Sequence, residues 1–125
     1  MGYECDAAIV IKKANKKKLL RMIHKLDDEW DENKNPSNID YTNYAIEVYK
    51  MAEQKETDEY LVLHWNWVKW YSLDRGYSFF RELAREQKID CDYICVGEDP
   101  GDIEEQYKLN SGLLGVYVDQ HIVIN

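Results

Sequence analysis

Residues 60–71 form the densest aromatic run in the chain, reading Tyr-Leu-Val-Leu-His-Trp-Asn-Trp-Val-Lys-Trp-Tyr, and they contain three of its four tryptophans. Side chains alternate between the two faces of a β-strand. One face of this run is therefore strongly apolar, while the other is mixed. The apolar face consists of Leu61, Leu63, Trp65 and Trp67. Such a pattern is typical of a half-buried strand, and we expect it at the centre of a sheet.

One short apolar run and two helical stripes precede this strand. The apolar run within residues 3–12 has the length of a buried strand. Apolar residues then recur at three- and four-residue spacing, which predicts a helix over residues 16–32. A second stripe, rich in tyrosine, predicts a helix that Asn38 or Asp40 caps and that ends near Lys55.

The segment after the aromatic strand predicts one more helix and further strands. The helix is capped by Asp74 and ends near Lys88. Residues 90–96 alternate as a strand, and the following Gly-Glu-Asp-Pro-Gly has the composition of a turn. Residues 102–109 fit either a strand or a helical turn. Residues 113–118 and 121–124 are expected to complete the sheet, either as one bent strand or as two short ones.

The length and this order of elements predict a single α+β domain. A chain of 125 residues has the size of one domain. Three helices segregated against a mainly antiparallel sheet make a two-layer sandwich. A ferredoxin-like variant is the nearest common topology, and the domain is expected to span residues 1–125.

Acidic side chains concentrate at the C-terminal end of the sequence. The chain has a net charge of −8, and residues 89–125 alone hold eight acids and one lysine. Direct binding of nucleic acid is not expected, because phosphate recognition needs a basic surface. The acidic end is either a solubilising surface or a surface for a basic partner.

Five carboxylates lie within eight residues of this acidic end. They belong to Glu98, Asp99, Asp102, Glu104 and Glu105. Oxygen ligands of this kind suit Ca²⁺ or Mg²⁺, but Pro100 interrupts the cluster and its spacing is not that of an EF-hand loop. We therefore predict no metal site and expect the acidic loop to face solvent or a partner.

The remaining side chains carry no recognisable catalytic signature. Cys91 and Cys95 would lie about 13 Å apart on one strand, too far to bind one zinc ion. The sequence has no phosphate-binding loop, dinucleotide fingerprint or nucleophile motif, so we expect a protein that is not an enzyme and uses no cofactor. The odd number of cysteines, and the absence of a signal peptide or a long apolar run, predict a cytoplasmic protein without a membrane span.

One piece of the chain with a distinctive sequence is Trp-Val-Lys-Trp-Tyr at residues 67–71. The other is Tyr-Ile-Cys-Val-Gly-Glu-Asp-Pro-Gly-Asp-Ile-Glu-Glu at residues 93–105, followed by Gly-Val-Tyr-Val at residues 115–118. Together they resemble small proteins of phages and prophages of low-GC Gram-positive bacteria, which carry a Val-Lys-Trp-Tyr strand and a Gly-Glu-Asp-x-x-Asp-Ile-Glu turn. The resemblance implies a protein of the class that inhibits bacterial immunity, which includes anti-CRISPR proteins.

The leading hypothesis is an acidic binding protein that occupies a basic surface of a nucleic-acid-handling bacterial enzyme, such as a CRISPR effector. The five carboxylates would face that partner, and Trp70 and Tyr71 are candidate anchors, because aromatic residues dominate interface energetics. One alternative is a self-assembling protein, for example a homodimer that pairs through an exposed strand edge. A less favoured alternative is a small metal-dependent hydrolase that uses the same acids.

Overall fold

The structure is a computed structural model that describes residues 3–32, 41–116 and 121–125. Short 3-10 turns precede the first two helices, at Lys13–Asn15 and Tyr41–Asn43. The other elements are β1 (Cys5–Lys12), α1 (Lys16–Glu32), α2 (Ala45–Met51), β2 (Glu53–Glu56), β3 (Tyr60–Val68), α3 (Arg75–Arg85), β4 (Cys91–Gly97), β5 (Ile103–Tyr107), β6 (Leu114–Val116) and β7 (Ile122–Ile124).

The main sheet has five strands in the order β2-β3-β1-β4-β5, and every neighbouring pair is antiparallel. The first four strands and their helical connections have the split β-α-β order of ferredoxin-like domains, to which β5 adds an edge strand. The predicted α+β sandwich is therefore confirmed. The centre of the sheet is β1, whereas the aromatic strand β3, which we expected there, lies beside it.

The helices pack on the sheet face that carries Ile9, Leu63 and Trp65. The indole N–H of Trp65 donates to the backbone oxygen of Val48 in α2 at 2.8 Å, and its ring lies 5.0 Å from that of Phe80 in α3. The alternation of side chains along β1, β3 and β4 therefore decides which of them form the main core, because one face of each strand is covered by helices.

A two-stranded antiparallel sheet, β6 with β7, covers part of the opposite face. Ile122 packs there against Ala8 and Ile94 in a second, smaller core. The buried carboxylate of Asp6 lies 2.7 Å from Nε2 of His64 and accepts a 3.4 Å hydrogen bond from the Ile122 N–H. Of the two expected forms, the structure shows two short strands. The expectation that they complete the main sheet is wrong, since they form a separate sheet over its face.

A polar edge strand replaces the predicted end of the second helix. α2 ends at Met51, and the next residue, Ala52, is extended. Residues Glu53–Glu56 then pair with β3 as β2, and all four are exposed. Sequence patterning missed this strand because it contains no apolar residue. The two proposed capping residues, Asn38 and Asp40, lie outside the described residues.

A β-bulge ends the alternation of the aromatic strand. Cys5 pairs with Val68 and Ala7 with Trp65, so β3 has one extra residue in this interval. Trp67 has a φ of 48° and is 43% exposed, although the alternation predicted it in the core. The bulge reverses the direction of its side chain relative to Trp65.

Within the described residues, no helix has both the length and the apolar character that a membrane crossing requires.

Candidate functional site in the acidic β4–β5 hairpin

The predicted turn between β4 and β5 forms a tight hairpin that exposes its acidic tip. The N–H of Gly97 donates to the backbone oxygen of Asp102 at 2.8 Å, and the N–H of Asp102 donates to the backbone oxygen of Asp99 at 3.1 Å. Gly101 has a φ of 82°, which glycine adopts without the steric cost that a side chain imposes. Glu98 and Asp99 are exposed at the tip.

Tyr3, which lies just before β1, closes the hairpin. Its hydroxyl donates to Oδ2 of Asp102 at 2.6 Å and accepts a 3.0 Å hydrogen bond from the Asp99 N–H. The hydrogen bond to Asp102 is the main reason that the pKa of Tyr3 is raised to about 12. Gly97 lies directly beneath this contact, and a Cβ there would overlap both the hydroxyl and the carboxylate.

Glu104 is held from α3 and from the core. Arg85 donates to its two carboxylate oxygens at 2.8 and 2.9 Å. The hydroxyl of Tyr93 donates to Oε1 at 3.2 Å, and that of Tyr71 does so at 3.4 Å. This bidentate pair with extra donors fixes the carboxylate more firmly than a single surface ion pair would.

Tyr71 joins the two carboxylate contacts into one network. Its ring stacks on that of Tyr3 with 6.0 Å between centroids, and the guanidinium of Arg85 lies 5.8 Å from the Tyr71 ring. Burial and the neighbouring Cys95 raise the pKa of Tyr71, and burial raises the pKa of Tyr93. These hydroxyls therefore stay protonated near neutral pH and act as hydrogen-bond donors to the carboxylates.

The five acidic residues do not form one surface. Because side chains alternate along β5, Glu104 faces the helices and Glu105 faces the other side of the sheet. Asp102 and Glu104 are partly buried and hydrogen-bonded, whereas Glu98 and Glu105 are exposed. Across residues 3–32, 41–116 and 121–125, no three Asp, Glu, His or Cys side chains are grouped so that they could hold a metal ion.

The two proposed aromatic anchors occupy different positions. Trp70 is completely buried, and its indole N–H donates to the Tyr93 hydroxyl at 2.9 Å. It cannot contact a partner while it stays in the core, so its proposed anchoring role is withdrawn. Tyr71 is partly exposed at the edge of the hydrogen-bond network.

The sequence patterns did not identify three important side chains of this region. Tyr3 and Arg85 fasten the hairpin from distant parts of the chain, and no local motif signals such contacts. Exposed Tyr107 belongs to β5, so the segment whose sequence fits both a strand and a helical turn is a strand. Alternation within Ile-Glu-Glu-Gln-Tyr is the signal that could have placed Tyr107 on the same face as Glu105.

Lysines pair with an acidic side chain at the opposite edge of the sheet. Nζ of Lys16, at the start of α1, lies 2.7 Å from Glu56 of β2, and Nζ of Lys13 lies 3.6 Å from the same carboxylate. This pairing lowers the pKa of Glu56 and raises that of Lys16. One acid of β2, Glu56, is thus paired with two lysines, while the β4–β5 hairpin presents exposed acids.

Comparison with protein-family models, with curated proteins and with solved structures found no match to this chain.

Proposed function

We propose that this chain is an acidic binding protein that inhibits a nucleic-acid-handling bacterial enzyme by covering a basic surface of that enzyme. The observation that carries the proposal is the set of exposed acids on a hairpin that the rest of the domain holds in place. Glu98, Asp99 and Glu105 are exposed on the β4–β5 hairpin, whereas Lys13 and Lys16 at the β2 edge pair with an acid of that edge. An acidic surface of this kind competes with nucleic-acid phosphates for basic side chains and accelerates association.

The contacts beneath the hairpin also support a binding role. Tyr3 fastens the carboxylate of Asp102, and Arg85 fastens that of Glu104. These side chains hold the backbone of the hairpin in place before any partner arrives. A preorganised surface loses less conformational entropy on binding, so more of its interaction energy contributes to affinity.

The class of partner follows from the resemblance to small phage proteins. A CRISPR effector has the basic surfaces that hold guide RNA and target DNA. The chain would act on it in the host cytoplasm and would touch the protein rather than the nucleic acid. Of the two proposed anchors, Tyr71 remains available at the margin of the acidic surface.

The test is a DNA-cleavage assay with a guide-loaded CRISPR effector, together with retention of the effector on the immobilised chain. We expect inhibition, and release of the effector between about 0.2 and 1 M salt, because screening weakens contacts between exposed charges. The triple variant Glu98→Lys, Asp99→Lys and Glu105→Lys should lose both activities. It spares Asp102 and Glu104, whose reversal would disturb the tyrosine and arginine contacts.

A matched control reverses three exposed acids at the other end of the sheet. Glu53→Lys, Asp58→Lys and Glu59→Lys change the net charge by the same amount but leave the hairpin intact. Retention should survive in this control. Equal loss in the two triple variants would show that only net charge matters, and unimpaired inhibition by the hairpin variant would overturn the proposal.

Self-association is the second candidate function. Among the described residues, β2 and β5 each have a neighbouring strand on one side only, which leaves two sheet edges for pairing with another copy. Light scattering over a concentration series tests this candidate. A mass that doubles with concentration would support a homodimer, and a constant monomer mass would reject it.

A further inference from the structure

The outer edge of β5 offers backbone hydrogen-bonding groups in a known pattern. A backbone hydrogen bond joins Gly97 and Asp102. In an antiparallel ladder, every second residue turns its N–H and C=O toward the neighbouring strand. Counting from Asp102, the backbone groups of Glu104 and Gln106 therefore point toward β4. The N–H and C=O of Glu105 then point away from β4. Within the described part of the chain, no strand pairs with β5 on that side.

The side chains on one face of this edge make a short recognition pattern. Ile103 and Tyr107 are each 38% exposed, and exposed Glu105 lies between them on the same face. Burial and the neighbouring Glu105 raise the pKa of Tyr107. An apolar, acidic, apolar series at two-residue spacing thus accompanies the open edge.

We propose that β5 binds an extended segment of the partner protein as a sixth strand of the main sheet. The segment would place a Lys or Arg beside Glu105 and apolar side chains beside Ile103 and Tyr107. Backbone hydrogen bonds supply affinity in this mode of recognition, and alternate side chains supply specificity. The inference rests on the proposed function, for which it names the mode of binding.

Charge makes a second copy of this chain a poor occupant of the edge. Full-length antiparallel pairing of β5 with itself places Glu105 directly opposite Glu105, and like charges in that position are destabilising. Each copy also carries a net charge of −8. A basic segment meets neither obstacle.

The other edge strand, β2, lacks this recognition pattern. Its sequence is Glu-Gln-Lys-Glu, so it presents no apolar side chain, and Glu56 is already paired with Lys16. β2 is therefore a matched control edge within the same molecule.

The probe is the synthetic peptide Thr-Val-Thr-Lys-Thr-Val-Thr, acetylated at its N-terminus and amidated at its C-terminus. NMR should show that the peptide slows hydrogen exchange of the Glu105 amide and shifts its resonance, while the β2 amides stay unchanged. A peptide with glutamate in place of the lysine should bind about threefold more weakly, since cross-strand charge pairs contribute modestly. An unprotected Glu105 amide at saturating peptide would overturn the inference.

Two proline variants test the backbone contribution. Glu105→Pro removes an outward N–H, and proline is tolerated at such edge positions, so the β4–β5 pairing should persist while peptide binding is lost. Gln54→Pro is the matched change on β2. The Thr57 N–H donates a hydrogen bond to the Tyr60 backbone oxygen, and the N–H groups of β2 alternate in direction from that point. The N–H of Gln54 therefore points away from β3. This control should bind the peptide like the parent chain, and unchanged binding by Glu105→Pro would contradict strand addition.

A charge-exchange experiment tests the pairing without relying on a proline variant that must still fold. Glu105→Lys should prefer the glutamate peptide to the lysine peptide, which reverses the preference of the parent chain. An unreversed preference would reject the assigned pairing.

The outcomes also separate this inference from the proposed function. If Glu105→Pro still inhibits the effector fully, the acidic binding function stands and strand addition is rejected. If the parent chain binds the peptide but does not inhibit the effector, strand addition stands and the proposed function is rejected.

Discussion

The hydroxyl of Tyr3 donates a 2.6 Å hydrogen bond to the carboxylate of Asp102, and these residues lie 99 positions apart in the sequence. The contact ties the segment just before the central strand β1 to the turn between β4 and β5. It therefore connects the sheet to the hairpin that presents Glu98 and Asp99.

Alkaline pH should weaken folding through this contact. The pKa of Tyr3 is raised from 10.0 to about 12 in the folded chain, which therefore holds the proton more tightly than the unfolded chain. Its contribution to stability is full below pH 10 and is lost as the pH rises through about 12. Denaturant unfolding of the parent and of Tyr3→Phe across this range should show a smaller alkaline loss in the variant.

The same contact should be visible by NMR of ring-labelled tyrosine. In Asp102→Asn, the acceptor loses its charge, so the Tyr3 resonance should titrate closer to 10.0 than to 12. An unchanged titration curve would show that Asp102 does not set the pKa of Tyr3.

Gly97→Ala should destabilise the fold by about 1–3 kcal/mol, the usual cost of overpacking. The added methyl group would overlap the Tyr3 hydroxyl and the Asp102 carboxylate, so one of them must move. Urea denaturation measures the loss. Gly115→Ala is the control, because a Cβ there meets no atom within 4 Å, and an equal loss in both variants would contradict the packing account.

Asp92→Ala should cost at least about 2 kcal/mol, because several donors would lose a charged acceptor. The buried carboxylate of Asp92 accepts hydrogen bonds from the N–H groups of Leu109, Asn110 and Ser111 at 2.7, 3.1 and 2.8 Å. Thermal unfolding should reveal the effect. The exposed neighbour Asp90 supplies the control, and Asp90→Ala should change stability by less than about 0.5 kcal/mol.

Asp27→Ala should lower stability by about 0.5–2 kcal/mol, as expected for a lost helix cap. The carboxylate of Asp27 in α1 accepts hydrogen bonds from the N–H groups of Ala45 and Ile46 at 2.8 and 2.9 Å, and so caps α2 from another helix. Circular dichroism during denaturation provides the measurement. Exposed Asp28 is the matched position, and Asp28→Ala with a comparable loss would argue against a capping role.

Periodicity predicted the elements that bury a continuous apolar face. β1, β3, β4, α1 and α3 lie close to their predicted positions, and the alternation along β4 places Cys91, Tyr93 and Cys95 together in the main core. Periodicity failed at β2, whose residues are all polar and whose strand exists because its backbone pairs with β3. It also failed after Trp65, where a bulge exposes Trp67 and the chain returns Trp70 to the core.

The candidate site was predictable as a segment but not as a surface. Composition identified the acidic turn, and it assigned the same role to five carboxylates. The structure separates them, because Tyr3, Tyr71, Tyr93 and Arg85 engage Asp102 and Glu104, while Glu105 faces the other side of the sheet.

By itself, the sequence determined the α+β class, the main strands and helices and the acidic character of the C-terminal third, since local alternation and net charge are properties of neighbouring residues. Only the tertiary structure decided which carboxylates stay exposed, which tryptophans are buried and which strand edge stays open among the described residues. Those outcomes depend on hydrogen bonds and packing between residues far apart in the chain, such as Tyr3 and Asp102, and no local pattern encodes such pairs.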